Sequence, residues 1–166
     1  MKQTALTDLD RDDFSGFLSM RVLRAGGGGQ IPAQPGVYVV LRDSTRRPAF
    51  LTRSPAGHFK GRDPTLPVEE LRRAWVPEAR VLYIGKAGGP GSRVSLRSRV
   101  RTYLRHGGGA RAAHWGGRAV WQLRDSSKLL VAWLSLPRGH PRCVERELLD
   151  LFIEKHGRRP FANRTR

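Results

Sequence analysis

Two charged residues sit on the apolar side of their helices. In the segment VSLRSRVRTYL, Leu96, Val100, Tyr103 and Leu104 recur at i, i+4, i+7 and i+8, the spacing of one buried helical stripe. Arg99 lies three residues after Leu96 and four before Tyr103, on the edge of that stripe, where a guanidinium needs a partner or a purpose. In the last helix, from near Pro141 to Gly157, Leu148, Leu149, Phe152 and Ile153 define the inward face. Glu145 precedes the first three by three, four and seven residues and shares that face, whereas Glu147 aligns with Asp150 and Glu154 toward water. A carboxylate on a buried face calls for a cation, a metal ion or a raised pKa. Both residue types suit work on an anionic group: a guanidinium forks onto its oxygens, and a carboxylate holds a divalent cation beside it. Arg97, Arg101 and Arg105 form a separate i, i+4, i+8 row, on a face open to solvent or phosphates.

The remaining elements must bring these residues together. VYVVLR after Pro35-Gly36 and RVLYI from Arg80 to Ile84 read as core strands, β-branched and aromatic and bounded by glycine or proline. AVWQLRDSSKLLVAWLSL reads as two strands around a turn at Asp125-Ser126-Ser127, the second nearly all apolar and therefore central. Residues 43–79 form a polar excursion with a short strand, AFLTR, and a helix opened by Pro67, with Glu69 and Glu70 in its first turn. Residues 1–34 read as an N-terminal extension, with a helical stretch from Phe14 to Leu23 and a flexible run from Ala25 to Gly29. The fold class expected is α+β: a small, mainly antiparallel central sheet flanked by helices.

Composition narrows the class of partner. At 166 residues the chain makes about one domain. Thirty-one Lys and Arg against 14 Asp and Glu give a net charge of +17, and no acid occurs between Ala79 and Arg124, where ten cations fall. Such a potential suits a polyphosphate partner, although the excess of arginine over lysine is also what GC-rich coding produces. No run of 18 apolar residues exists, and the N-terminus has neither an apolar nor an amphipathic basic leader, so no membrane association and a cytosolic location are expected. The lone Cys143 excludes an internal disulfide and reads as a small buried residue beside Val144. Neither His58 nor His114 has partners at zinc-ligand spacing.

Taken in order, PGVYVV, LYIGKA, LRSRVRTYL, VERELL and PFAN resemble the motifs of the GIY-YIG nuclease family, over Pro35 to Asn163. The resemblance implies the GIY-YIG fold for residues 35–166, with 43–79 an insertion, because Tyr38 and Tyr83 stand 45 positions apart where small members have a short hairpin. It implies a catalytic set of Tyr38, Tyr83, Lys86, Arg99, Tyr103, Glu145 and Asn163, with Glu145 the ligand of one Mg²⁺ (or Mn²⁺). The activity implied is hydrolysis of DNA phosphodiesters, in a restriction or defence role, within the bacterial cytosol and nucleoid.

On this reading Arg99 would steady the phosphate, Tyr38 would be the general base with Tyr103 orienting the water, Tyr83 would shape the pocket, and Asn163 would fix the geometry. A tyrosine base would need nearby cations to lower its pKa. Glu147 is a second candidate ligand. Duplex DNA would be contacted by Arg97, Arg101, Arg105, His114 and Arg118, the last two on a loop with Trp115. A cut through both strands would imply a homodimer, although no interface is legible. The alternative is a module that keeps the fold and binds nucleic acid without cutting; loss of the acid or the arginine would mark it, and both are present.

Overall fold

The computed structural model describes residues 6–164. Strand β2 (Gly36–Leu41) is buried along its whole length, as its unbroken apolar run demands of a strand covered on both faces. It lies between β3 (Val81–Ala87) and β4 (Leu130–Ser135), and β1 (Ser15–Ser19) completes an all-antiparallel sheet in the order β1-β4-β2-β3. Successive β2 side chains feed two cores. Tyr38 and Val40 join Leu96, Val100, Tyr103 and Leu104 of helix α3 (Leu96–Gly107), while Val37, Val39 and Leu41 join Leu148 and Phe152 of helix α4 (Pro141–His156). The architecture is α+β, an antiparallel four-stranded sheet flanked by helices. No helix among the described residues is long and apolar enough to cross a membrane.

The helix ends follow local chemistry. Ser95 and Ser98 cap α3 reciprocally, and α4 begins on Pro141 and stops at Gly157, whose φ of 72° closes the last turn. A shorter helix, α2 (Val68–Ala74), starts after Pro67. The chain after α4 runs back along the open side of β3: Ala162 N donates to Leu82 O at 2.8 Å, and the Asn163 side chain bonds both the N and the O of Ile84, at 2.9 and 2.8 Å. An otherwise unpaired strand edge is thereby satisfied.

Five local expectations are corrected. Within the expected helix Phe14–Leu23, Ser15–Ser19 is instead the edge strand β1, bulged at Gly16 and Phe17, and only Met20–Arg24 (α1) is helical, capped by the Ser19 hydroxyl. Pairing with β4 overrides local propensity there. Leu6, Leu9 and Phe14 are buried in the α4-side core, so the described part of the expected extension is built into the domain. AVWQLR is not a strand: Arg118–Gln122 forms a 3₁₀ turn, and AFLTR contributes only a bridge from Phe50 to Leu123. Cys143 is exposed, on the outward side of the first turn of α4.

Residues 43–79 are fastened by Gln122, whose side chain accepts from Leu66 N at 2.7 Å and donates to Leu51 O and Leu66 O.

Candidate active site

At the carboxyl end of β3, the edge strand, Tyr83, Lys86, Arg99 and Glu145 line one cleft of about 340 Å³, with Gly88, Ser92 and Val94 at its lip. Three elements supply them. Tyr83 and Lys86 come from β3, Arg99 from the second turn of α3 on one side of the sheet, and Glu145 from the second turn of α4 on the other. Lys86 pairs with Val37 on the α4 face, and Tyr83 pairs with Val40 on the α3 face, so the cleft wraps the sheet edge. Lys86, Arg99 and Glu145 are each partly exposed. Two cations thus share a cleft with one carboxylate.

Behind the cleft lies a cluster of rings. Tyr38, Tyr83 and Tyr103 approach one another at centroid distances of 5.8 to 6.3 Å, and His114 stacks on Tyr103 at 4.2 Å and 26°. Close approach requires glycine at two places. A Cβ on Gly85, directly across from Tyr38, would stand 2.6 Å from its ring, and a Cβ on Gly117 would stand 3.0 Å from both Tyr83 and Tyr103. Two hydroxyls of the cluster are bonded: Tyr103 donates to Gly117 O at 2.8 Å, and Tyr38 meets His114 Nε2 at 2.6 Å. His114 Nδ1 lies 2.7 Å from Gly116 O. A carbonyl can only accept, so Nδ1 carries the proton and Nε2 accepts from Tyr38.

Burial controls the acidities. It pushes Tyr38 and Tyr103 well above the ordinary tyrosine value. Tyr83 rises to about 12, burial and Glu145 raising it while the Arg99 charge holds it back. His114 falls to about 3, first through burial and then through the facing Arg99 charge. The imidazole is therefore neutral at physiological pH.

The geometry sorts the sequence-derived residues. Tyr83, Lys86, Arg99 and Glu145 meet in the cleft. Tyr103 is a buried wall, and Asn163 holds the main chain of β3 beside Tyr83. Tyr38 as a base with a lowered pKa is corrected: its hydroxyl is fully buried, committed to His114 and harder to ionise, whereas Tyr83, 8% exposed, reaches the cleft. Glu147 is exposed, turned away from the cleft as its helical phase requires.

Among the DNA-contact candidates, Arg101 and Arg105 are exposed on α3. Arg97 is tied instead to Ile31 O and Gly29 O, at 2.8 and 3.1 Å. Arg118 lies over the Trp115 ring at 4.4 Å, with Arg62 of the 43–79 segment at 5.1 Å from the same ring. His114 as a surface contact is corrected, since its side chain is wholly buried. A lone histidine in a glycine-rich loop has no periodicity to reveal that it packs against a strand 76 positions earlier. His106 is also buried and bonds Gly57 O at 2.8 Å, a role its place in α3 did not announce.

A larger cavity, about 1320 Å³, opens at the other end of the sheet. Its Arg42 and Arg80 are engaged by Asp125 and Asp43, and it holds none of the cleft residues.

Among the described residues no three His, Cys, Asp or Glu gather as a ready-made metal cage. A single half-buried carboxylate beside a hydroxyl, facing an open cleft, could hold Mg²⁺ through Glu145 and does not offer the ligand set of zinc. No family model matches the chain, and neither a curated protein nor a solved structure matches it, which leaves the geometry of the site as the guide to its chemistry.

Proposed function

We propose that this chain is a Mg²⁺-dependent (or Mn²⁺-dependent) DNA endonuclease with a GIY-YIG active site, acting in restriction or defence. The observation that carries the reading is the convergence of Tyr83, Lys86, Arg99 and Glu145, spread over 62 positions of sequence, on one cleft. The order of motif-bearing elements along the chain, with α3 and α4 on opposite faces of the antiparallel sheet, supports the GIY-YIG fold.

In this reading Arg99 and Lys86 receive the scissile phosphate, the guanidinium forking onto non-bridging oxygens whose charge grows in the transition state. Glu145 would hold the metal ion, which when bound supplies charge neutralisation at the phosphate. The Tyr83 hydroxyl, with its pKa near 12, is neutral at the working pH and acts as a hydrogen-bonding group toward the attacking water. Asn163 keeps the β3 main chain in place beneath it. Arg101 and Arg105 extend the positive surface along α3 toward flanking phosphates of a duplex.

Plasmid DNA incubated with the purified protein, with Mg²⁺ or with chelator, tests the reading. Cutting is expected only with the metal ion, and Glu145→Ala is expected to bind duplex while cutting slower by about 10²-fold or more. Absence of cutting by the unaltered protein, or a normal rate from Glu145→Ala, would overturn the assignment. Duplex binding without any cutting would favour the binding-module reading.

A further inference from the structure

Within residues 43–79 a short hairpin carries charge that the proposed chemistry leaves unused. Phe59 N donates to Arg62 O at 3.1 Å and Arg62 N to Phe59 O at 3.0 Å, around a two-residue turn. Both turn residues, Lys60 and Gly61, have positive φ, 50° and 72°, as the tightest hairpins require. Lysine adopts that backbone less readily than asparagine or glycine, so its charge is held at the tip against local preference. The hairpin is fixed at both ends. At its base Gly57 N donates to His106 O at 2.9 Å and His106 Nε2 donates to Gly57 O at 2.8 Å, which ties it to the last turn of α3. At its tip the Phe59 ring lies 6.4 Å from the ring of Trp115.

Trp115 belongs to a strap, residues 110–118, that borders the candidate active site. Ala113 O accepts from Arg99 Nη1 at 3.2 Å, and Gly117 lies against the Tyr83 ring. Two guanidiniums from separate segments converge on Trp115, Arg118 at 4.4 Å and Arg62 at 5.1 Å, while the Lys60 ammonium lies 5.4 Å from the Phe59 ring. Arginines stacked in this way are partly ordered before any ligand arrives. Their charge is not neutralised locally. Glu70, the acid whose charge acts on Arg118, is already paired with Arg164 at 2.6 Å, and the Asp63 carboxylate accepts from Thr65 N. Burial, then the charges of Arg164 and Arg62, push Arg118 below the ordinary arginine value, and its Nε is buried with no partner among the described residues. Lys60 and Arg62 are exposed.

We propose that the Phe59–Arg62 hairpin and the 110–118 strap form one arm of the substrate site, in which Lys60, Arg62 and Arg118, aligned by Phe59 and Trp115, take a backbone phosphate of the duplex outside the cleft. The inference deepens the nuclease reading and rests on it for its partner, duplex DNA. The three polar side chains donate and none accepts, so their complement is an anionic acceptor. Trp115 is engaged by its own cations and serves as their support. A phosphate contact of this kind places the duplex without reading its sequence.

Fluorescence anisotropy of a labelled duplex, with the full chain and with chelator present so that the duplex stays whole, tests the arm. Arg62→Ala is expected to bind about 5 to 10-fold more weakly at about 0.1 M salt and to reduce the slope of log K against log salt by about 1, equally for two duplexes of unrelated sequence. Arg47→Ala removes the same charge from the larger cavity at the other end of the sheet and is expected to leave the slope unchanged. Trp115→Leu keeps every charge and is expected to weaken binding about 3-fold or more with urea unfolding still cooperative; normal affinity in that folded variant would overturn the aromatic alignment. If Arg62→Ala lowers the slope no more than Arg47→Ala does, or weakens binding to one sequence only, the arm falls and the nuclease reading stands on its own cutting test. If the unaltered protein binds neither duplex, both fall.

Discussion

His114 should leave a signature in the pH dependence of stability. Its pKa is about 3 in the folded chain and about 6.5 in an unfolded one. Because the folded value is depressed, the unfolded chain binds more protons between the two values, so stability is fully present above pH 6.5 and lost as pH falls toward 3. The whole span corresponds to on the order of 5 kcal/mol, and about 2 kcal/mol of it is already lost at pH 5 relative to pH 7.5. For a chain of this length the loss lowers Tm by about 4 to 8 °C. Urea unfolding at pH 7.5, 6.5, 5.5 and 5.0 should therefore show the unaltered protein losing about 2 kcal/mol more than His114→Gln, which keeps hydrogen-bonding groups at the position and does not titrate. His106, whose pKa burial also lowers, contributes equally to both proteins and cancels in the difference. Parallel stability curves for the two proteins over this range would refute the buried neutral imidazole and the tautomer argument built on it.

Four further outcomes follow from the same geometry. Arg99→Ala should lower the single-turnover rate by about 10² to 10³-fold while weakening duplex binding only a few-fold, and a parallel fall of rate and affinity would show the guanidinium to be a binding group only. Gly85→Ala forces a methyl to within 2.6 Å of the Tyr38 ring and should cost about 1 to 3 kcal/mol, read as a lower urea midpoint; an unchanged midpoint would mean that the ring does not lie there. Arg101→Ala and Arg105→Ala should each reduce the slope of log K against log salt for duplex binding by about 1. Arg97→Ala should leave that slope nearly unchanged and lower Tm instead, since its guanidinium holds the 29–31 turn.

The site was legible where periodicity carried the information. Helical phase alone separates Arg99 from the outward row of α3 and Glu145 from Glu147, and both selected residues reach the cleft. Pro141 and Gly157 bound α4 as their backbone preferences require. The same wheel places Cys143 on the far side of α4 from Leu148, so its exposure was readable and its neighbour Val144 misled. Elsewhere the sequence is ambiguous for physical reasons. SGFLS and AVWQLR are short apolar runs whose state depends on what they pack against: the first finds a strand partner in β4, and the second is bent into a 3₁₀ turn carrying Gln122 to Leu51 and Leu66. The His114 bond to Tyr38 spans 76 positions and obeys no period.

The ring cluster explains why the strands carry the residues they do. A tyrosine in the middle of a fully buried strand such as β2 is costly unless its hydroxyl is bonded. Tyr38 meets that condition through His114, and Tyr103 meets it through Gly117 O. The glycine at position 85 is needed because the Tyr38 ring lies across it, and the glycine at 117 because two rings close over it. With the inner hydroxyls satisfied internally, Tyr83 is the member of the cluster that reaches the cleft, beside two cations and one acid. That cleft has more positive than negative charge until an anion enters. On the proposed reading, a substrate phosphate would restore the balance and the same negative charge would improve the hold of Glu145 on a divalent cation, so phosphate and metal ion should bind more tightly together than either does alone.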